Sequence, residues 1–215
     1  NNFVPAANNT VSTDNSPYPV YIYFDNTDNA GIMYFYSEAN YIFMNPDSSY
    51  MFYNNSIGGI SYLSNLNSSQ VENMKAMFSS NTYDKGNKFS DITPLANWDT
   101  SKVTNMSYLF HSYSSSYIPI TGINALSNWN TSNVTDMYRM FYNVKSLTNI
   151  DGAINWDTGN VIDMSGMFYG AHSLTNIDGA LNWDTGNVTN MNYMFQYATS
   201  LTNIDGASLD RKSVV

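Results

Sequence analysis

The sequence predicts an α/β repeat solenoid: a parallel ladder of short strands and short helices, closed at its N-terminal end by a β-rich cap. Three observations carry this. The four tryptophans stand at 98, 129, 156 and 183, so the steps are 31, 27 and 27 residues, and the text around them recurs with them. Inside one period the apolar spacing changes from helical to strand-like. Residues 18–50 lack the period and hold β-rich runs instead. A period of this length means units that cannot bury their apolar side singly and do so by stacking.

Taken in order, residues 1–17 are rich in turn formers, have no period, and are expected to form a flexible tail. Residues 18–50 read as the cap. Val-Tyr-Ile-Tyr-Phe from Val20, a polar break at 25–30, a second β-rich run to Tyr36 and Tyr41-Ile-Phe-Met44 suggest a hairpin plus one strand. Such a cover is needed because an open stack exposes apolar core and unpaired backbone. Residues 51–215 read as the repeats, the last incomplete. Residues 66–78 match residues 98–110 position by position with leucine in the tryptophan slot, and Ser48-Ser-Tyr-Met-Phe52 matches the end of an earlier unit. Leu201-Thr-Asn-Ile204 opens a final rung in which the given sequence stops.

One unit, residues 147–173, illustrates the local reading. Val161, Met164, Met167, Phe168 and Ala171 are spaced as one side of a short helix. The preceding Trp156-Asp-Thr-Gly is turn chemistry that caps the helix start, and Gly170 loosens its exit. Leu174-Thr-Asn-Ile177-Asp-Gly, short and bounded by turn residues, reads as a strand. Equivalent strands of successive units are expected to pair in parallel about 4.8 Å apart. The tryptophans and ten of the twelve methionines recur at fixed slots and are expected in the core. A buried indole N–H then needs an acceptor, and a loop carbonyl is the expected one. Asn65, Asn97, Asn128, Asn155 and Asn182 precede the landmark residue and are expected to form an asparagine ladder on the loop backbone.

The Leu-x-x-Ile spacing before a turn and a helix resembles the leucine-rich repeat. The recurring Trp-Asp-Thr-Ser-x-Val-Thr-x-Met-x-x-Met-Phe, at residues 98–110, 129–141, 156–168 and 183–195, is similar to the BspA-like leucine-rich repeat of bacterial surface proteins. Gly159 and Gly186 stand where Ser101 and Ser132 stand earlier, a minor departure. The resemblance covers roughly residues 40–215. It implies a strand-and-short-helix solenoid on a cell surface, adhering to host or microbial partners.

A formal charge of −9 and a pI near 4.3 repel phosphate backbones and anionic membrane surfaces, so nucleic acid is not an expected partner. The absence of cysteine excludes a disulfide framework and thiolate metal sites. No run of ~18 apolar residues exists to span a bilayer. A start at Asn1 suggests an excised or processed chain, whose signal peptide lies outside the given sequence.

The inventory for catalysis is thin: two histidines, His111 and His172, and two glutamates, Glu38 and Glu72. Most aspartates recur as repeat elements and share like environments, whereas carboxylate chemistry needs unlike ones, so no enzyme is expected. Asp151, Asp178 and Asp205 form a row of like charges beside Asn149, Asn176 and Asn203. Calcium would relieve the repulsion, but side chains that splay into water or bond the following Gly-Ala backbone do so too, and no metal or cofactor is assigned.

Two surfaces are candidates for binding. The step from the repeat phenylalanine to the next strand residue is six in the later units, but eleven from Phe78 to Phe89 and ten from Phe110 to Ile120. The extra residues, within 79–88 and 111–119, are expected to bulge side by side from one rim with Tyr83, Lys85, Lys88, His111, Tyr113 and Tyr117. The strand face offers the rows Thr148, Asn149, Asp151; Thr175, Asn176, Asp178; and Thr202, Asn203, Asp205. The expected function is extracellular adhesion by a monomeric, secreted or surface-attached module that recognises a host or microbial protein. A glycan-binding module and a passive stalk are the alternatives.

Overall fold

The computed structural model describes residues 21–25, 32–38, 42–54, 57–81, 87–113 and 118–202. The expected tail, Tyr83, Lys85, Tyr117, Asn203 and Asp205 lie outside those residues. Strands β1 (Tyr21–Asp25) and β2 (Ile32–Tyr36) form an antiparallel hairpin, with Tyr21 opposite Tyr36 and Asp25 opposite Ile32. Strand β3 (Ile42–Phe43) runs parallel to β4 (Leu66–Asn67).

From Asp47 onward each repeat hydrogen-bonds in parallel to the next, through the pairs Asp47 with Asn73, Asn73 with Asn105, Asn105 with Asp136, Asp136 with Asp163, and Asp163 with Asn190. The stretch expected to be a short helix carries this ladder. Between residues 164 and 170 alternate N–H groups reach the following repeat: Met164 donates to Asn190 O, Gly166 to Asn192 O, Phe168 to Met194 O and Gly170 to Gln196 O, at 2.8–2.9 Å. The N–H groups between turn back within the repeat, Met167 to Met164 O, Tyr169 to Gly166 O and Ala171 to Phe168 O. No α-helix forms over residues 161–171. Two helical turns are marginal by themselves, and here the carbonyls find acceptor roles in a neighbouring repeat instead. The tight turns need left-handed backbone. Gly166 and Gly170 supply it at φ 61° and 70°, as do Arg139 and Asn143 one repeat earlier at 53° and 56°.

Helical turns occur where the sequence suggested the end of a strand. Short 3-10 helices cover Thr93–Leu95, Asn124–Leu126, Asp151–Ala153 and Asp178–Ala180. The Leu-x-x-Ile stretch before them, expected as a strand, forms none at 147–150 or 174–177 and is tied to its neighbour by the Thr175 N–H on Thr148 O. A Cβ on Gly179 would lie 1.8 Å from Ile150 O, so glycine there permits the close approach of successive repeats.

The interior is built in columns. Phe52, Phe78, Phe110, Phe141, Phe168 and Phe195 stack ring on ring at 5.4–5.6 Å with planes within 12° of parallel. Such separations with parallel planes are the offset stacking that aromatic quadrupoles favour. The four tryptophans are 2–5% exposed. Each indole N–H donates to a carbonyl of the preceding repeat, Trp98 to Leu63 O, Trp129 to Leu95 O, Trp156 to Leu126 O and Trp183 to Ala153 O, at 2.9–3.1 Å. The threonine two residues on reaches the other way, Thr131 Oγ1 to Asp157 O and Thr158 Oγ1 to Asp184 O. With Thr100 Oγ1 on Asn130 O as well, the landmarks at Trp98, Trp129 and Trp156 each tie three repeats together.

The asparagine ladder runs mainly through another slot than expected. Asn97, Asn128, Asn155 and Asn182 are exposed, and of these Asn182 reaches the preceding repeat, its Nδ2 donating to Ile154 O at 3.3 Å. Asn133, Asn160 and Asn187, four residues after the last three tryptophans, donate from Nδ2 to Ser101 O, Ser132 O and Gly159 O at 2.6–2.7 Å. The aspartates and remaining asparagines mostly close Asx turns, accepting the N–H two residues on. Asp157 takes Gly159, Asp163 takes Ser165 and Asn176 takes Asp178.

Candidate functional site

The outward side of the ladder segment is aromatic. Six copies of it, residues 48–54, 74–80, 106–112, 137–143, 164–170 and 191–197, contain no acidic residue in a chain that has 17. Their outward slots hold Tyr108, Tyr138, Tyr142, Tyr169, Tyr193 and Tyr197, with Lys75 and Arg139 as the charges. The turn pattern along each copy separates these residues from the buried Met and Phe slots, as in Met137, Met140 and Phe141 inside against Tyr138, Arg139 and Tyr142.

The rings form one connected strip across four repeats, about 14 Å for three steps of ~4.8 Å. Tyr113 meets His111 edge-on at 5.6 Å, and His111 meets Tyr108 at 5.2 Å. Tyr108 is edge-on to Tyr138 at 4.9 Å. The Arg139 guanidinium lies 4.9 Å over Tyr138 and 4.7 Å over Tyr142. Tyr142 stacks on Tyr169 at 4.4 Å with planes 1° apart, and Tyr197 closes the row edge-on to Tyr169 at 5.1 Å. Tyr113, Tyr193 and Tyr197 are 52–57% exposed, and Tyr108, Tyr138, Tyr142 and Tyr169 are half-buried.

Burial and a hydrogen bond to Tyr138 push the Tyr108 phenol up to about 12; burial and a bond to Tyr169 do the same for Tyr142. Both are neutral hydroxyls at physiological pH. His111 is 5% exposed, stacked on Tyr142, with Nδ1 3.3 Å from Ser79 Oγ. Burial, then the Arg139 charge, lowers its pKa to about 4, so it is a neutral packing element under the strip. Sequence reasoning placed it on an exposed rim; the buried slot directly after Phe110 accounts for the difference.

The other residues singled out are spread differently. Ser80 and Ser112 pair as a parallel bridge, so the two lengthened segments leave adjacent repeats at one level. Asn87 pins the base of the first, donating from Nδ2 to Phe52 O and Phe78 O and accepting the Ile57 N–H. Lys88 and Tyr113 are exposed. On the strand face Thr148, Thr175, Thr202, Asp151 and Asp178 are exposed, while Asn149 and Asn176 are half-buried. The Asn149 and Asn176 oxygens already accept the N–H of Asp151 and Asp178, and Thr175 Oγ1 donates to Thr148 O. Among the described residues no group of three acids or histidines is arranged to hold a metal ion. No described helix is long and apolar enough to cross a membrane.

Tyr108, Tyr138, Arg139, Tyr142 and Tyr169 were not among the residues expected from sequence. The signal for them is a ring recurring in the slot after the repeat phenylalanine, as Tyr53, His111, Tyr142 and Tyr169 in four of the six copies.

No curated protein and no solved structure matches the chain. A family model described as "Mycoplasma protein of unknown function, DUF285" matches residues 46–124 and again 114–215, starting where the parallel ladder starts and covering the repeats. The chain therefore belongs to the DUF285 family.

Proposed function

We propose that the chain is a BspA-like, leucine-rich-repeat-type solenoid that works outside the cell, secreted or surface-attached. In this reading it is a monomeric binding module for a protein of a host or of a neighbouring microbe. It has no catalytic activity, cofactor or resident metal, and no nucleic-acid partner. The observation that carries the reading is the acid-free tyrosine strip. Tyrosine combines a large rigid apolar body with a hydroxyl and costs little entropy to immobilise, which makes it a favoured anchor at protein interfaces.

The stacking favours a protein over a glycan. Tyr142 has His111 against one face and Tyr169 against the other. A pyranose needs an open ring face, whereas edges and hydroxyls suit peptide groups and side chains. The test is a parallel array of host surface and matrix proteins and of glycans, probed with the wild-type protein and with Tyr113→Ser/Tyr193→Ser. Protein hits that the double variant loses are expected. Hits confined to glycans would replace the reading with sugar recognition, and no hits would favour a stalk.

A further inference from the structure

Resting on that reading of the strip as a protein-binding face, we propose that the partner segment is acidic, with one of its carboxylates seated on Arg139. The argument begins with placement. Arg139 is one of eight basic residues in a chain of net charge −9, yet it stands at the centre of the acid-free strip. Among the described residues no Asp or Glu forms an ion pair with it. Its backbone holds the left-handed conformation at φ 53°, which a long side chain adopts only at a cost. The equivalent slot in the next repeat is Gly166.

That glycine makes room for the arginine. A Cβ on Gly166 would lie 3.2 Å from Arg139 Cγ and 3.7 Å from its Nε. Arg139 therefore lies across Gly166 with its guanidinium between two tyrosine rings. A side chain held this way has lost much of its rotamer freedom before binding, and its planar fork matches a carboxylate. The nearest acids at the strip's border, Asp136 and Asp163, have Oδ1 engaged by the Tyr138 and Ser165 N–H groups. At a distance the net charge repels an acidic partner, so the selection is a short-range one made at the strip itself.

The experiment selects a displayed library of random dodecapeptides on immobilised wild-type protein and on Arg139→Gly. Glycine is the residue that the next repeat carries at this slot, and φ 53° favours it, so the variant is expected to fold; a thermal melt by circular dichroism checks this. Peptides enriched in Asp and Glu are expected on the wild type and not on the variant. A selected peptide should bind Arg139→Gly roughly ten- to a hundredfold more weakly, the range of a charge-assisted contact. Arg139→Lys should fall between. Changing the peptide's acids to amides should cost the same on the wild type and nothing further on Arg139→Gly. Selection without acidic enrichment, or equal binding by Arg139→Gly, overturns the proposal. If Tyr113→Ser/Tyr193→Ser still abolishes that binding, the protein-binding face stands without its acidic ligand. Enrichment of nothing above a blank surface removes both, and Arg139-dependent binding of sulfated or uronic glycans instead of peptides overturns this proposal in favour of a sugar.

Discussion

Replacing Trp156 by alanine removes the largest side chain of an interior column. The indole is 2% exposed, lies parallel to Trp183 at 6.4 Å, and donates to Leu126 O at 3.1 Å. Truncating a buried aromatic costs ~3–5 kcal/mol through lost transfer energy and the cavity. The Leu126 carbonyl loses one of its two donors and keeps the Trp129 N–H at 3.1 Å. Trp156→Phe separates the terms, since it keeps much of the ring but not the donor; losing one hydrogen bond to an acceptor that keeps a second donor costs about 0.5–1.5 kcal/mol. Urea unfolding followed by far-ultraviolet circular dichroism reads both. With an m-value of roughly 2–3 kcal/mol/M the alanine variant should lose about 1–2 M of midpoint, and phenylalanine a fraction of that. Because the Trp156 landmark ties three repeats, the loss should appear as earlier unfolding of the array and not as fraying of one unit. A Trp156→Ala curve that overlays the parent would refute the reasoning.

The glycines give a contrast: Gly179→Ala forces a Cβ against Ile150 O and should lower the melting temperature by many degrees, while Gly159→Ser, the residue found at Ser101 and Ser132, should stay within ~0.5 kcal/mol of the parent. His111 has a folded pKa of about 4 against 6.5 in the unfolded chain, so its contribution is fully present above pH 6.5 and is lost as pH falls through 4. Urea midpoints at pH 7 and pH 4.5 should therefore differ less in His111→Gln than in the parent, and equal differences would place His111 in solvent. Asn160→Ala, which deletes a bond to Ser132 O, should cost about 0.5–1.5 kcal/mol, and Asn155→Ala should cost nothing measurable. The reverse order would restore the ladder to the slot before the tryptophan.

The period, the inward tryptophans with their carbonyl partners and nine of the ten repeat methionines are legible because burial selects residue type at a fixed slot; Met51, in the first copy, is the exception at 37% exposed. The backbone of the ladder segment is not, because two structures share one pattern. Val161, Met164, Met167 and Phe168 have helical spacing, and turns with a left-handed residue at every fourth position put the same four inside. Gly166 and Gly170 inside the supposed helix, with Asn54 and Asn143 at the second of these slots, are the available warning. The Asn before the tryptophan recurs in all four units and the Asn four residues after it in three, and recurrence alone does not tell a ladder from an exposed turn. The tyrosine strip escapes a reading based on inward periodicity since its slots vary among Tyr, Ser, His and Gln. Its unity lies in ring contacts between repeats some 27–31 residues apart.

The account stands on which face binds. The direct measurement is surface plasmon resonance of one captured partner protein against four analytes: the parent, Tyr113→Ser/Tyr193→Ser, Thr148→Ala/Thr175→Ala, and a chain whose segments at 79–88 and 111–119 are cut to the six-residue step of Phe141 to Leu147. The account predicts that the tyrosine pair loses binding, while the threonine pair keeps it and the shortened chain keeps it apart from the contribution of Tyr113. Binding that survives the tyrosine pair and fails with either of the others would contradict it.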